Sequence, residues 1–368
     1  MKNTYSSLWK FFRIVLFLVF SVAFCQLKAQ DPIFSQFYNN PIYYNPGYIG
    51  LNSGLRARLN YRNQWTGLPE DFKTYNFSLD VAERALPGSG GLGLLATSDR
   101  AGTGTIKSTN VGIGTSARVP LSRNMIAQMG FMFSYAQKTI NWEELVFTDQ
   151  LNARYGNIYQ SAFESPASSR VSYPDLSVGG VYRFVARGLH SSNIQGTIGG
   201  AVHHVFTPNE SFIGLTSPLP RKLVITGDLV IDGNGGSTSY LSRQKSSSGF
   251  KFNPGFQYEK QADFSTYAVG MNILKSGIYF GAWLRNQDFN VFEAKDVIFQ
   301  VGVNAPLSNE TRVKIMYTYD YLITDLRTAG RASHEISLVF EFDEFSFFGG
   351  SKPTTFSRRK TAMECTPF

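Results

Sequence analysis

The chain alternates apolar and polar residues with a period of two over many short stretches. From Thr311 to Tyr321, Val313, Ile315, Tyr317, Tyr319 and Tyr321 share one face, and Arg312, Lys314, Met316, Thr318 and Asp320 share the other. Leu55, Ala57, Leu59 and Tyr61 likewise oppose Arg56, Arg58, Asn60 and Arg62. Met125, Ala127, Met129, Phe131, Phe133 and Tyr135 oppose Ile126, Gln128, Gly130, Met132 and Ser134. His334, Ile336, Leu338, Phe340 and Phe342 oppose Ser333, Glu335, Ser337, Val339 and Glu341. Successive side chains of a strand point to opposite faces, so this period predicts strands with one apolar and one polar face. About fourteen strands are predicted on this pattern, near residues 55–64, 72–81, 90–97, 105–119, 124–138, 174–186, 193–206, 220–231, 249–259, 264–274, 277–286, 296–305, 311–321 and 333–342. The run from Asp232 to Gly249 blurs the ends of the eighth and ninth.

Two architectures use such strands. A soluble sandwich buries its apolar faces between sheets. A transmembrane antiparallel barrel turns them to lipid, keeps polar residues inside and alternates short turns with longer loops. Here one set of connections is short: 120–123, 187–192, 275–276 and 306–309. The alternate set holds most of the long ones: 140–173, 207–219, 287–295 and 322–332. A sandwich has no reason to sort loop length by parity. The expectation is therefore an all-β transmembrane barrel, with both ends of the strand set on the short-turn, periplasmic side.

The N-terminus fits export. Lys2, Lys10 and Arg13 flank an apolar run from Ile14 to Phe24, and Ala29 precedes Gln30. That pattern matches a secretory signal peptide with cleavage between Ala29 and Gln30. The apolar run is too short to span a membrane, which takes about 20 residues. Lipidation at Cys25 is the weaker reading, because Phe24 stands where a small residue is wanted. Cleavage removes four cations and no acid, lowering the formal charge from +8 to +4, too mild for a nucleic-acid partner. It also leaves Cys365 as the one cysteine, which excludes an intrachain disulfide. The expected organisation is a leader over 1–29, an N-terminal segment over 30–54, the barrel over 55–342 and a periplasmic tail over 343–368. The tail carries Lys352, Arg358, Arg359 and Lys360 and reads as a solvated extension or a handle for a partner.

Between leader and first strand lies QDPIFSQFYNNPIYYNPGYIG, residues 30–50. Its aromatics call for burial, while its prolines forbid a central strand or helix interior. A lipid-facing coil is excluded, since unsatisfied backbone in hydrocarbon costs several kcal/mol per group. The segment is expected either to fold into the periplasmic mouth of the barrel as a plug or to dock on a partner. Phe34, Phe37, Tyr38, Pro41, Tyr44 and Pro46 are its candidate contact residues. Inside the barrel, a hairpin about Gly67-Leu68 sets Asp80 opposite Arg56 and diagonal to Arg58. Together with Arg62, Arg312 and Lys314, these form an expected lumen-facing charge network.

Sites for chemistry are scarce. His203 and His204 are adjacent on a predicted strand and so are expected on opposite faces, unable to grip one metal. No helix follows the Gly88–Gly93 run, as a dinucleotide fingerprint would require. Glu143, Glu144 and Asp149 fall in the longest loop without a partner carboxylate at glycosidase spacing. No catalytic residue, cofactor or metal is expected.

Six stretches carry a resemblance: the N-terminal DPIFSQFYNNPIYYNPGYIG, LNYRNQW (59–65), TSDRAGTGT (97–105), WEELVFTDQLNARYG (142–156), AVHHVFTPNESFIG (201–214) and SHEISLVFEF (333–342). In this order they are similar to the PorP/SprF family of type IX secretion outer-membrane proteins. The resemblance implies a non-enzymatic outer-membrane role. PorP-like members work beside the periplasmic ring of the machinery, and SprF-like members serve secretion or surface attachment of large adhesins. Implied partners are other type IX secretion components, a secreted adhesin or other cargo, and outer-membrane lipid. The competing readings are a porin or transporter for a small solute and a soluble glycan-binding sandwich.

Overall fold

A computed structural model describes residues 31–69, 72–83, 88–102, 106–166, 168–187, 193–232, 250–287, 295–308, 310–324, 327–343 and 345. Fourteen strands form one closed barrel: β1 (Leu55–Gln64), β2 (Phe72–Ala82), β3 (Ser89–Ala101), β4 (Ile106–Ser122), β5 (Met125–Thr139), β6 (Arg170–Arg187), β7 (Asn193–His203), β8 (Lys222–Asp232), β9 (Lys251–Gln261), β10 (Phe264–Lys275), β11 (Ile278–Gln287), β12 (Asp296–Pro306), β13 (Thr311–Leu322) and β14 (Ala332–Phe342). Each pairs antiparallel with its sequence neighbour, and β1 closes the ring on β14 with Leu55 opposite Phe342. Closure leaves no edge strand unpaired, which is what a sheet in hydrocarbon requires. Among the described residues no helix is long and apolar enough to cross a membrane.

The two faces identify the solvent on each side. Outward residues such as Ile113, Phe133, Val269, Phe280, Phe299 and Ile315 are more than half exposed. Inward Arg56, Asn60, Arg62, Thr318, Asp320 and Glu335 are each at most 3 % exposed. A protein folded in water would invert this arrangement, so the apolar outer band faces lipid. The soluble sandwich is thereby discarded.

Connections divide largely as expected. On the turn side, residues 123–124, 276–277 and 307–310 link strands tightly; on the loop side run 140–169, 204–221 and 323–331. Parity has exceptions, however. The span between Asp232 and Lys251 lies on the turn side, while β9 and β10 are joined by Ala262-Asp263 alone on the loop side. The positive φ of Ala262 makes that tight link possible.

The longest loop is itself structured. Trp142 packs on Phe163 and, edge-on, on Phe212 of the neighbouring loop. Lys138 pairs with Glu210, and Ala136, Tyr173 and Leu219 form a small buried cluster beneath. The Asp149 carboxylate accepts from the Ala162 amide at 2.6 Å and from the Ser161 hydroxyl at 2.9 Å. Asp149 thus orders the loop's own backbone.

Candidate functional site

The barrel interior holds residues 32–51. The segment is compact because Pro41 and Pro46 each open a turn, α1 (Pro41–Tyr44) and a 3-10 turn over Pro46–Tyr48, after another over Phe37–Asn39. Proline suits the first position of a turn, where an N–H would be unpaired anyway. Asn45 stands between two of these turns and ties them to the wall. Its Oδ1 accepts from the Gly47 amide at 2.7 Å, while its Nδ2 donates to the carbonyls of Gly180 and Gly200 at 3.0 and 3.2 Å.

The segment spans the lumen rather than sitting at one mouth. Its start lies among loop-side ends of strands: the Ser35 and Gln36 amides donate to the Glu335 carboxylate at 2.6 and 3.2 Å. Its end lies among turn-side residues, where the Gly47 and Ile49 carbonyls accept from Gln128 Nε2 at 2.9 and 2.6 Å. The Gly50 amide donates to Asp80 at 2.9 Å, and Leu51 packs with Ile126 and Val181. This corrects the expectation of a segment folded into the periplasmic mouth. The physical reason is the placing of partners: polar groups anchor the segment at both ends of the lumen, and apolar wall residues receive its side chains between them.

The candidate aromatics meet a complementary wall. Phe34, Phe37 and Tyr44 are buried in one cluster with Val224, Trp283 and Ile298. Phe37 meets the Trp283 ring edge-on at 5.1 Å, and Tyr38 stacks on it at 6.1 Å. The Tyr38 hydroxyl donates to Gln300 Oε1 at 2.5 Å. Ile42 and Ile49 pack with Leu95 and Met132. Pro41 is half-buried, and Pro46 is buried with its carbonyl against Gly130.

Room for the segment comes from inward glycines. A Cβ at Gly130 would lie 2.1 Å from the Pro46 oxygen, one at Gly179 would lie 2.1 Å from Asn45 Oδ1, and one at Gly114 would lie 2.6 Å from Ile49 Cδ1. Gly91 brings its backbone against Gly50. Alternation places Ile126, Gly130 and Met132 on one face of β5 without assigning them a contact, and nothing in the sequence singles out Gly114, Gly179, Trp283 or Ile298. The available signal was an inward face that is apolar or bare where a water-filled lumen would be polar.

The predicted charge residues all face inward but do not form one ladder. Arg58 Nη1 pairs with Asp80 at 2.5 Å, so the diagonal partner holds the carboxylate. Arg56, opposite Asp80 in register, instead has its Nε 3.6 Å from Glu341. Arg312 pairs with Asp343 at the turn-side rim, and Lys314 sits over the Tyr279 ring. Arg62 belongs to a separate loop-side cluster, pairing with Asp320 at 2.8 Å and Glu335 at 3.2 Å. Arg285 adds bonds of 2.8 Å to both Asp296 and Asp320. The Ser35 hydroxyl is central, accepting from Arg62 and Arg285 at 2.5 and 2.9 Å and donating to Asp320 at 2.6 Å. Sequence gave no reason to join these residues, because β1 meets β14 only through ring closure.

The histidine expectation also needs correction. Both rings turn inward: His203 bonds the Ser177 hydroxyl and the Tyr44 carbonyl, and His204 bonds Asp175. The positive φ of His204, at the end of β7, breaks the alternation that put the rings on opposite faces. Even so, no group of three or more metal-ligating side chains converges among the described residues. The Gly88–Gly93 run opens β3 and contacts the segment. Ala29, Gln30 and tail residues 346–368 with Cys365 lie outside the described residues.

A family model described as "Type IX secretion system membrane protein PorP/SprF" matches residues 26–340. No curated protein matches the sequence. Among solved structures, a FadL homologue of Pseudomonas aeruginosa is similar at 11% identity and a TM-score of 0.39, covering 82% of this chain and 93% of its own. The toluene transporter TodX of Pseudomonas putida is 7% identical with a TM-score of 0.39, covering 86% of this chain and 96% of its own. Omp33 of Acinetobacter baumannii is 9% identical with a TM-score of 0.33, covering 80% and 99% respectively.

Proposed function

The chain belongs to the PorP/SprF family of type IX secretion system membrane proteins, and from that premise we propose that it is a non-enzymatic outer-membrane scaffold rather than a channel. In this reading the barrel supports secretion or surface attachment of a large secreted protein, as SprF-like members do, or works beside the periplasmic ring, as PorP-like members do. Residues 32–51 seal the lumen, and the charge cluster around Ser35 latches the seal at the loop side.

The observation that carries this reading is the matching of segment to wall along the lumen, from the Ser35–Asp320–Glu335 bonds to the Gln128–Ile49 bond. A general porin has no use for a wall whose glycines and aromatics are shaped to a polypeptide.

The test pairs two measurements in one null strain. Loss of the protein is expected to abolish release or surface display of a large secreted protein, seen by surface proteolysis, while uptake of small solutes is unchanged. The purified intact barrel is expected to be nearly closed in planar bilayers. Unimpaired secretion together with a large open conductance would replace the scaffold by a porin.

A further inference from the structure

On the lipid-facing side of the barrel, a groove of about 450 Å³ crosses β14, β1, β2 and β3 in the loop-side half of the apolar band. Large Tyr61, Tyr75, Phe77 and Ile336 line it together with small Ala96 and Ser98. The Tyr61 and Tyr75 rings lie side by side at its loop-side end, their centroids 5.0 Å apart. Aromatic rings girdle a barrel where hydrocarbon gives way to head groups, so the next outward row lies at head-group level.

That row is cationic. Lys73 on β2 stands opposite Arg100 on β3, and Arg100 stands opposite Lys107 on β4. Each lies two residues from the row Tyr75–Ser98–Thr109 that borders the groove. The three therefore share the outer face, about 7 Å nearer the loops. The neighbouring acid, Asp99, turns inward and accepts from the Thr74 hydroxyl at 2.6 Å. Lys73 is partnered, but Arg100 and Lys107 are exposed and form no ion pair among the described residues. Like charges directly opposite on one sheet face repel, and an anion between them removes that cost.

We propose that this face holds one phosphorylated glycolipid of the outer leaflet, with its phosphate on Arg100 and Lys107 and an acyl chain in the groove. Charge sets the head group. A phosphate monoester carries about −1.5 to −2 at neutral pH and answers both cations, whereas the single charge of a phosphodiester answers one. The guanidinium fork matches two phosphate oxygens, and the ammonium adds a point charge beside it. Volume sets the tail. An apolar cavity of about 150 Å³ holds benzene, so 450 Å³ takes about three times as many carbons, the bulk of one long acyl chain. The choice of leaflet rests on the loop side facing the exterior. Nothing in it depends on whether the barrel is a scaffold or a porin.

The experiment strips the full mature protein of lipid in nonionic detergent and titrates it with lipid A, dephosphorylated lipid A or phosphatidylglycerol. Native mass spectrometry counts the lipid bound to each barrel. One lipid A per barrel is expected, with the other two lipids weaker by about tenfold or more. Combining Arg100→Gln with Lys107→Gln is expected to weaken lipid A by about the same factor, and Arg123→Gln on the turn side to leave it unchanged. Ala96→Phe fills the groove and is expected to weaken lipid A with or without phosphate. Heat-modifiable migration confirms that each variant folds, and Lys107→Gln alone replaces the double variant if that one does not. Equal binding of the phosphorylated and dephosphorylated forms, equal binding of phosphatidylglycerol, or unchanged binding in the folded charge variant would each overturn the proposal. So would unchanged binding in Ala96→Phe. A stripped barrel that dimerises, and that Ala96→Phe makes monomeric, would give the groove to a second copy and overturn it too.

Discussion

Gly130→Ala isolates the fit between segment and wall. The added Cβ would stand 2.1 Å from the Pro46 oxygen, 2.4 Å from its carbonyl carbon and 2.8 Å from the Gly47 nitrogen. All three are backbone atoms, and contacts this short do not persist, so the segment must retreat by about 1 Å. It retreats poorly. The proline fixes φ at the start of this turn, and Asn45 pins the turn from the other side through the Gly180 and Gly200 carbonyls. Overpacking of this kind costs about 1–3 kcal/mol, and losing the Gln128–Gly47 bond, 2.9 Å long, adds about 0.5–1.5 kcal/mol. A matched control is close by. A Cβ at Gly180 meets nothing nearer than the Gln128 oxygen at 3.6 Å, an ordinary contact. Single-barrel conductance in planar bilayers is the assay, with heat-modifiable migration confirming that each variant folds. Gly130→Ala is expected to flicker open and Gly180→Ala to stay closed like the unsubstituted protein. If the two variants are indistinguishable, close packing against Gly130 does not hold the segment in place.

Removing residues 31–46 is expected to leave a barrel that inserts but conducts; unchanged conductance with loss of a periplasmic partner in pull-downs would make the segment a docking arm. Arg62→Met leaves Asp320 and Glu335 short of a cation in a buried site and is expected to destabilise by about 3–5 kcal/mol in urea titrations in lipid. A loss below about 1 kcal/mol would show that water reaches the cluster. Ile315→Arg, on the lipid face, is expected to cost about 2–4 kcal/mol near mid-membrane by the same titration, and wild-type stability would remove β13 from the bilayer. Tyr155→Cys, in the 140–169 loop, is expected to react with an impermeant maleimide on intact cells; labelling only after envelope rupture would reverse the orientation. The Ala162 amide and the Ser161 hydroxyl hold the Asp149 carboxyl below its ordinary range. Their support for the loop is therefore full above the ordinary carboxylate pKa and fades as pH falls through the lower folded value. Pepsin cleavage of this loop should rise over that fall, and a flat profile would refute the role given to Asp149.

Strand number and register were legible along the chain because a strand's side chains alternate and lipid tolerates no polar outer face. Asp80 falls opposite Arg56 in the register that the hairpin about Gly67-Leu68 implies. The family was legible too, from the Asp31–Gly50 stretch and five later ones, and the match over residues 26–340 agrees. What the period leaves open is which inward residues meet across the lumen. Asp320 and Glu335 lie on the adjacent strands β13 and β14, but Arg62 lies on β1, which meets β14 only when the ring closes. Alternation assigned His203 and His204 to opposite faces, and one residue with positive φ overruled it. The N-terminal segment shows the division most clearly. Its aromatics and prolines announced burial without regular structure, yet its placement depends on glycines 114, 130 and 179 and on Trp283, residues far away in sequence. Local composition fixes what a segment must avoid. Where it finds partners is decided only when fourteen strands enclose a lumen and bring those residues within reach.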